Sequence, residues 1–447
     1  MCELLARSSL DRGWLVLVAA LVVAQPAAAQ STLSLPEAIA RAKARNPDAG
    51  TAAAAEQEAA ERLAQARGVY LPRIDIAESW QRGDNPVFVF SSRLAQRNFT
   101  GADFALDGLN HPDATSNFRT AFSIEQSLFD RATSARVQAA SIGRDMAVTS
   151  KRLVEHDLTA AVTDAFGRVL IAAATYRSAA AAVETARADR ELASNRRDAG
   201  QVTDADVLQL DVYVALTLER QVQAASDERV ARARLNQLMG EPLSSTFSLD
   251  PTPLAVPIET TNPQALEDEA VTLRPEVALA GHGEQLAATA VAEAKSAFLP
   301  QVVGQAAWEL NGGTWTSRSS SWLAGVAVRI NVFHGFADKA RLAEARAHAA
   351  RRALEASKAE IMARLDVQTT IARLEAARAS EVVGRAAADR ARESQRIVRD
   401  RYEGGLADAA MLLRAADAVQ QADTLQITAR VNVLTATAAL KRAIGRP

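Results

Sequence analysis

The side chains best suited to catalysis or metal binding are few and scattered in this sequence. The five histidines form no His-x-x-x-His pair, and neither a phosphate-binding glycine loop nor a nucleophile elbow is present. The single cysteine, Cys2, lies in a segment that we expect to be cleaved off, which excludes thiol catalysis, disulfides and cysteine metal sites from the mature chain. The sequence therefore predicts that the protein is not an enzyme and has no catalytic residue, bound metal or cofactor.

The N-terminus has the features of an export signal. Arg7 and Arg12 precede a short apolar core, and alanines at 27–29 provide small residues for cleavage before Gln30. Residues 1–29 are therefore predicted to be a signal peptide. Because Gln30 and not a cysteine follows the cleavage site, no lipid anchor is expected.

The net charge and the distribution of apolar residues limit which partners and which membrane segments the mature chain is expected to have. The formal net charge is −2, and this balance argues against nucleic acid as a partner. After the signal we find no run of about 18 apolar residues, so a membrane-spanning helix is not expected in the mature chain.

Four segments have a regular pattern of residue types, at about residues 70–81, 117–129, 299–311 and 319–333. Their polar and apolar residues alternate, which is typical of strands with two different surroundings. Glu78 interrupts the apolar set of the first strand. In a barrel the polar set would line the lumen, and its charged members are Arg73, Asp75, Arg119, Glu125, Glu309 and Arg329.

The elements that carry these strands occur twice. Leu71-Pro72 returns as Leu299-Pro300, 228 positions later, and Gly200 returns as Gly405, 205 positions later. Such a duplication means that one module is used twice. Two structural repeats are predicted, at 30–240 and 264–447, joined by an irregular, proline-rich linker at 241–263.

Each repeat is predicted to contain helix, two strands, a very long helix and a returning helix. The long helices are rich in alanine and free of proline, and at about 1.5 Å per residue each extends on the order of 100 Å. In the first, apolar residues recur at steps of four and three, as in a coiled-coil seam. The predicted helices cover residues 35–68, 131–197, 204–239, 264–297, 338–402 and 407–444.

The alternating strands allow two interpretations. In a soluble sheet, a core elsewhere must cover the apolar face, yet the neighbouring helices already use their own apolar seams. In a membrane barrel lipid covers that face, and Trp80, Phe118, Trp308 and Trp322 fit the aromatic residues expected near the interfaces. The export signal also favours the membrane barrel.

Four strands are too few to close a barrel within one chain. The smallest single-chain barrels have about eight, and an open sheet edge in lipid leaves unpaired backbone groups at a cost of several kcal/mol each. Several chains must therefore share one barrel. A ring of three is preferred, and the sequence alone leaves other ring sizes open.

Together these elements resemble the outer-membrane efflux protein family, the TolC-like exit ducts of Gram-negative bacteria. The resemblance covers about Leu33 to Pro447. Its most specific marks are Leu71-Pro72, Leu299-Pro300, Arg274-Pro275-Glu276 and Arg401-Tyr402-Glu403-Gly404-Gly405-Leu406, the last being close to the family's Arg-Tyr-Glu-x-Gly-Leu tip turn. The fold implied is an α+β membrane protein in which four strands per chain contribute to a trimeric, 12-stranded outer-membrane β-barrel, continued by a long α-helical periplasmic barrel.

The resemblance also implies a function and partners. The chain is expected to be the exit duct of a tripartite efflux or type I secretion system in the outer membrane, extending into the periplasm and giving solutes a passive path. The implied partners are two further copies of the chain, a periplasmic adaptor protein, an inner-membrane pump and outer-membrane lipid. Neither the solute nor the class of pump follows from the sequence.

The turns between the long and returning helices are expected at the periplasmic tip, where glycine permits the reversal. The expected turn and adaptor-docking residues are Arg197, Gly200, Arg401, Gly404, Gly405 and Leu406. The resemblance suggests that Asp206 and Tyr402 form a hydrogen-bonded latch between neighbouring helical pairs. The alternative is a carboxylate at a helix start and a tyrosine packed on the tip.

Few residues are candidates for a charged constriction at the entrance of the duct. Family members usually have an aspartate before an apolar pair after the tip turn, but the second copy has Met411-Leu412-Leu413 there. Because the family's constriction is built mainly from the second helical pair, a simple acidic gate is not expected. Asp408, Arg414 and Asp417 remain as candidates for a ring of charge that sets ion preference.

A periplasmic coiled-coil adaptor or scaffold without a barrel is the alternative function, because it would also be exported and helical. An adaptor is expected to have one helical hairpin flanked by small β domains. The four alternating strands and the two complete copies discriminate against it.

Overall fold

The computed structural model describes residues 32–250 and 258–446. The predicted signal peptide, with Cys2, and part of the linker lie outside the described residues. The helices are α1 (Leu35–Arg45), α2 (Pro47–Gly68), α3 (Pro86–Ala95), α4 (Leu106–Asn110), α5 (Arg131–Asp198), α6 (Asp204–Met239), α7 (Pro263–Leu273), α8 (Pro275–Ser296), α9 (Ala337–Glu403) and α10 (Ala409–Ala443). The strands are β1 (Thr32–Leu33), β2 (Arg73–Gly83), β3 (Thr115–Phe129), β4 (Ser248–Leu249), β5 (Gln301–Gly312) and β6 (Ser319–Arg329).

A proline separates the two opening helices of each copy. Pro47 is the first residue of α2, where its missing N–H is not needed, and the Asn46 side chain caps that helix. In the second copy the residue before the proline is Arg274, which is buried and pairs with Glu276 at 3.2 Å and with Asp366 at 2.9 Å. The same break is thus stabilised by a cap in one copy and by ion pairs in the other.

The main sheet has the strand order β2-β3-β5-β6, and all its neighbours are antiparallel. The two hairpins come from the two copies and meet at β3 and β5. Strands β2 and β6 are therefore the edges of the sheet, and neither has a second partner among the described strands.

The long helices α5 and α9 have 68 and 67 residues, which corresponds to about 100 Å each. Each packs along its returning helix, and α5 also contacts α10, so the two helical pairs lie side by side. One hydrophobic core lies where α1, α5 and α6 meet, and Val162, Phe166 and Val169 are fully buried there.

One stretch of α5 is more apolar than we expected from the sequence, in which no membrane-spanning helix was predicted after the signal. By length and composition alone, an 18-residue window with a mean hydropathy of 1.3 would suffice to cross a membrane, and 44% of that window is buried inside the fold. The buried residues of this window pack against neighbouring helices.

Two connections contain regular structure, and one of them is the linker that was expected to be irregular. The linker forms the short strand β4, which pairs in parallel with β1. The long loop of the first hairpin contains α3, α4 and a 3-10 turn at Gly101–Phe104. A two-residue strand shows no alternation, and helices this short show little periodicity, so neither was visible in the sequence.

Candidate functional site: an open sheet and a helical tip

One face of the sheet is polar. Directly opposed residues of antiparallel strands lie on the same face, and the pairs Arg73–Glu125, Glu125–Gln305 and Gln301–Arg329 define it. With the alternation along each strand, this face carries all six predicted lumen residues: Arg73, Asp75, Arg119, Glu125, Glu309 and Arg329. Four of them form ion pairs across or along the strands, with Arg119 Nε 3.1 Å from Glu309 Oε2 and Arg73 Nε 2.8 Å from Asp75 Oδ2.

The opposite face is apolar and uncovered in the single chain. Ile74, Ile76, Trp80, Trp322, Val326 and Val328 are each at least 60% exposed. Aromatic rings meet on this face, with the centroids of Phe122 and Trp308 5.3 Å apart. An exposed face with this many large apolar side chains needs to be covered, either by the apolar interior of a membrane or by a protein partner.

Glu78 lies on the apolar face but is paired. Arg318 Nη2 is 3.3 Å from Glu78 Oε1, and the same guanidinium contacts the Thr120 hydroxyl. The Arg318 Cζ also lies 3.8 Å from the centroid of the Trp315 ring. The exception in the sequence pattern is therefore a charge pair shielded by an aromatic ring.

The two tip turns share one backbone geometry. Gly200 and Gly405 have φ of +71° and +75°. The N–H of Gln201 donates to the Arg196 carbonyl and that of Leu406 to the Arg401 carbonyl, both at 2.8 Å. These bonds close the helix C-termini in the Schellman arrangement, which needs a left-handed residue at each glycine.

The residues predicted for docking lie at these turns. Arg197 pairs with its neighbour Asp198 at 2.7 Å, and Gly404 ends α9 directly before Gly405. Arg401 is exposed, and the Leu406 side chain is 81% exposed. The second turn therefore presents an apolar side chain and a cation to solvent.

Arg196 joins the two turns. Its guanidinium donates to the backbone carbonyl of Tyr402 and lies 5.0 Å from the centroid of the tyrosine ring. That ring is fully buried, against Ala193, Leu210 and Leu412 among others. Burial raises the pKa of the Tyr402 hydroxyl, which has no hydrogen-bond partner within the described residues.

The two predicted latch residues do not bond to each other in the single chain. The Asp206 carboxylate accepts the N–H of Thr203 at 2.9 Å, and the Thr203 hydroxyl accepts the N–H of Asp206 at 3.3 Å. The Thr203 N–H and hydroxyl both donate to the carboxylate and lower the pKa of Asp206, and with the reciprocal bond they form a capping box at the start of α6. A latch of Asp206 and Tyr402 between neighbouring helical pairs stays a prediction.

The three entrance candidates have different surroundings. Asp408 caps α10 by accepting the N–H of Met411 at 2.7 Å. Asp417 accepts from Arg220 at 2.9 Å and from the Tyr213 hydroxyl at 3.3 Å, and burial followed by the Asp417 charge raises the pKa of Tyr213 to about 12. Arg414 is exposed and forms no ion pair within the described residues. Its Nε donates to the Ala410 carbonyl at 3.2 Å within the same helix.

Sequence reasoning missed the ion pairs between the two copies. Arg399 of α9 donates to Asp189 of α5, which is 4% exposed, and burial raises the pKa of that carboxyl against the effect of the arginine. Arg196 corresponds in the repeat to Arg401, 205 positions later. Partners some 200 positions apart leave no local pattern, so only the repeat could have pointed to them.

Comparison with known proteins decides the family. The family model for outer membrane efflux proteins matches residues 38–241 and 266–446, which is most of the chain. The chain belongs to the outer membrane efflux protein family. The resemblance seen in the sequence is thereby confirmed, and the alternative of an adaptor without a barrel is set aside.

Individual relatives agree with this membership. Protein CyaE of Bordetella pertussis is 28% identical over 342 residues, covering 74% of this chain and 69% of that protein. The fold is similar to the outer membrane protein VceC of Vibrio cholerae, with a TM-score of 0.76 and 17% identity over 92% of this chain and 96% of that one. It is also similar to the CmeC outer membrane channel of Campylobacter jejuni, with a TM-score of 0.77 and 15% identity over 92% and 85%.

This efflux protein is thus an exit duct in the outer membrane that extends into the periplasm. Its sheet belongs to the channel's barrel, and its helical pairs form the periplasmic part. The family and the similar structures are channel proteins rather than enzymes.

Proposed function

We propose that three copies of this efflux protein share one barrel of twelve strands. The observation that carries the proposal is the open four-stranded sheet, whose edges β2 and β6 pair with no further strand in the described part of the chain and whose apolar face is exposed. Lipid cannot bond to the free backbone groups of an edge strand. Pairing β6 of one chain with β2 of the next satisfies both edges and leaves no open edge in the ring.

In this assembly the polar face of the sheet lines the lumen. Arg73, Asp75, Arg119, Glu125, Glu309 and Arg329 would then face water, while the tryptophans of the opposite face contact outer-membrane lipid. Because three of these six residues are basic and three are acidic, and four of them form ion pairs, the lumen wall would favour neither sign of charge strongly.

We also propose that the two tip turns dock a periplasmic adaptor that connects the duct to an inner-membrane pump. The exposed Leu406 and the cations Arg197 and Arg401 are the proposed contacts, and Gly200, Gly404 and Gly405 shape the turns. The pump selects which solute enters, and the duct provides a closed, water-filled path. At the entrance Arg414 is the proposed charge facing that path, while Asp408 and Asp417 serve the helix start and the helix packing.

The docking proposal predicts a position-dependent crosslink. A photoreactive amino acid at Leu406 should crosslink in cells to a periplasmic protein with a helical hairpin, identified by mass spectrometry. The same amino acid at Val230, which is 67% exposed on α6 but far along the helix from the turn, is the matched control. Equal crosslinking at both positions, or none at Leu406 in a strain that exports its solute, would refute docking at the tip.

A further inference from the structure

The long loop of the first hairpin folds back onto the polar face of the sheet. Its helix α3 contacts β3, β5 and β6. Beneath it Asn117 and Asn311 are 8% and 2% exposed, although both lie on the face where Asp75 and Glu125 are exposed. The loop therefore covers one end of the proposed lumen wall and leaves the rest open.

A chain of amide hydrogen bonds holds the end of α3 in place. Gln96 Nε2 donates to Asn117 Oδ1 at 3.0 Å and to the Ser116 carbonyl at 2.9 Å. Asn117 Nδ2 in turn donates to Asn311 Oδ1 at 2.9 Å. If the loop lifted away, Gln96 would lose both of these bonds to β3, and Asn117 would lose one of its two bonds.

Two further bonds tie the loop to the last strand. The Ser319 hydroxyl donates to the Gln96 carbonyl at 2.8 Å, and Arg97 donates to the Ser320 carbonyl at 2.9 Å. Arg97 has φ of +54°, a conformation that residues other than glycine rarely adopt. With this backbone conformation the chain reverses directly after α3, and both bonds to β6 can form.

The loop is also a folded unit in its own right. The Phe99 ring meets the rings of Phe90 and Phe104 edge-on at centroid distances of 4.8 and 5.2 Å. Arg93 pairs with Asp103, which also accepts the N–H of Thr100 at 2.7 Å. A segment with this packing acts as one body, so it can obstruct a path or be released as a whole.

We propose that residues 84–114 form a cap that limits the size of solute able to pass the extracellular mouth of the duct, with Gln96 as its anchor. The proposal rests on the assignment of the polar face to the lumen. On that assignment α3 projects inward from each chain, and three caps narrow the mouth together. Releasing the Gln96 anchor widens it.

A cysteine below the cap can test this. Ala77 is exposed on the polar face, and Cys2 is the only cysteine of the sequence, so Ala77→Cys can be labelled selectively from outside intact cells. With the cap in place, a small charged maleimide should react and a polymer-linked maleimide should react poorly. Adding Gln96→Ala should raise the polymer reaction several-fold.

Three controls keep the outcomes distinct. Gln81 is an exposed glutamine on the same face of the sheet, and its side chain makes no hydrogen bond to the loop. The variant Gln81→Ala should therefore leave polymer labelling unchanged. Asn117→Ala removes the next bond of the chain and should act like Gln96→Ala. Asp107→Cys, exposed on α4, should react with both reagents in every background and shows that the protein has reached the membrane.

Different labelling results would contradict the cap and the lumen assignment. Polymer labelling of Ala77→Cys at one rate with and without Gln96→Ala would overturn the cap alone. No reaction of Ala77→Cys even with the small reagent, while Asp107→Cys reacts, would overturn the lumen assignment and the cap with it.

Discussion

Arg196→Ala should shift the periplasmic tip toward the open state and raise the single-channel conductance in planar bilayers. Arg196 is the side chain that bridges the two tip turns, through the Tyr402 carbonyl and ring. A hydrogen bond from a charged donor contributes about 1.5–3 kcal/mol, and about 1.4 kcal/mol changes an equilibrium tenfold. We therefore expect the ratio of open to closed states to rise by on the order of tenfold.

Two variants show whether the effect belongs to this contact. Tyr402→Phe keeps both the ring and the carbonyl that Arg196 binds, so its conductance should match that of the parent. Arg197→Ala removes an adjacent arginine whose ion pairs, among the described residues, are with Asp198 and Asp204 of its own turn, so it should also leave the conductance unchanged. If Tyr402→Phe opened the channel and Arg196→Ala did not, the hydroxyl and Asp206 would be the latch after all.

Phe166→Ala should lower the free energy of unfolding by about 3–5 kcal/mol, the usual cost of removing a large buried aromatic side chain. Phe166 is fully buried in the cluster where α1, α5 and α6 meet, with Val162 and Met239 in the same cluster. This cluster stabilises the middle of the helical body. Thermal unfolding of the purified protein in detergent, followed by the far-ultraviolet circular dichroism of the helices, measures the change.

Phe333→Ala is the matched control, because that phenylalanine is 70% exposed in the single chain. Its removal should shift the unfolding temperature much less than Phe166→Ala. Equal shifts for both variants would mean that the helical body is not held together by this cluster.

Much of the architecture follows from patterns that are local in the sequence. Alternation placed Arg73, Asp75, Glu309 and the other charged strand residues on one face, and the register agrees. The paired glycines at 200 and 405 indicated two equivalent turns, and their backbone angles agree as well. These features depend on periods of two and on glycine's tolerance of positive φ, which a sequence displays directly.

The contacts between distant segments could not be read in the same way. The bond from Arg196 to the Tyr402 carbonyl involves the backbone of its partner, so the partner's residue type carries no signal. The packing of α3 on the sheet depends on the three-dimensional path of a long loop. The neutralisation of Glu78 by Arg318 joins the two hairpins across 240 positions, so alternation alone made Glu78 look like an exception.

The mass of the detergent-solubilised protein tests the central claim most directly, since four strands per chain require identical partners to close a barrel. Light scattering coupled to size-exclusion chromatography, with the detergent contribution subtracted, should give three chains per particle. A particle of one chain, with Trp322 and Trp80 protected from a lipid-soluble quencher, would contradict the shared barrel.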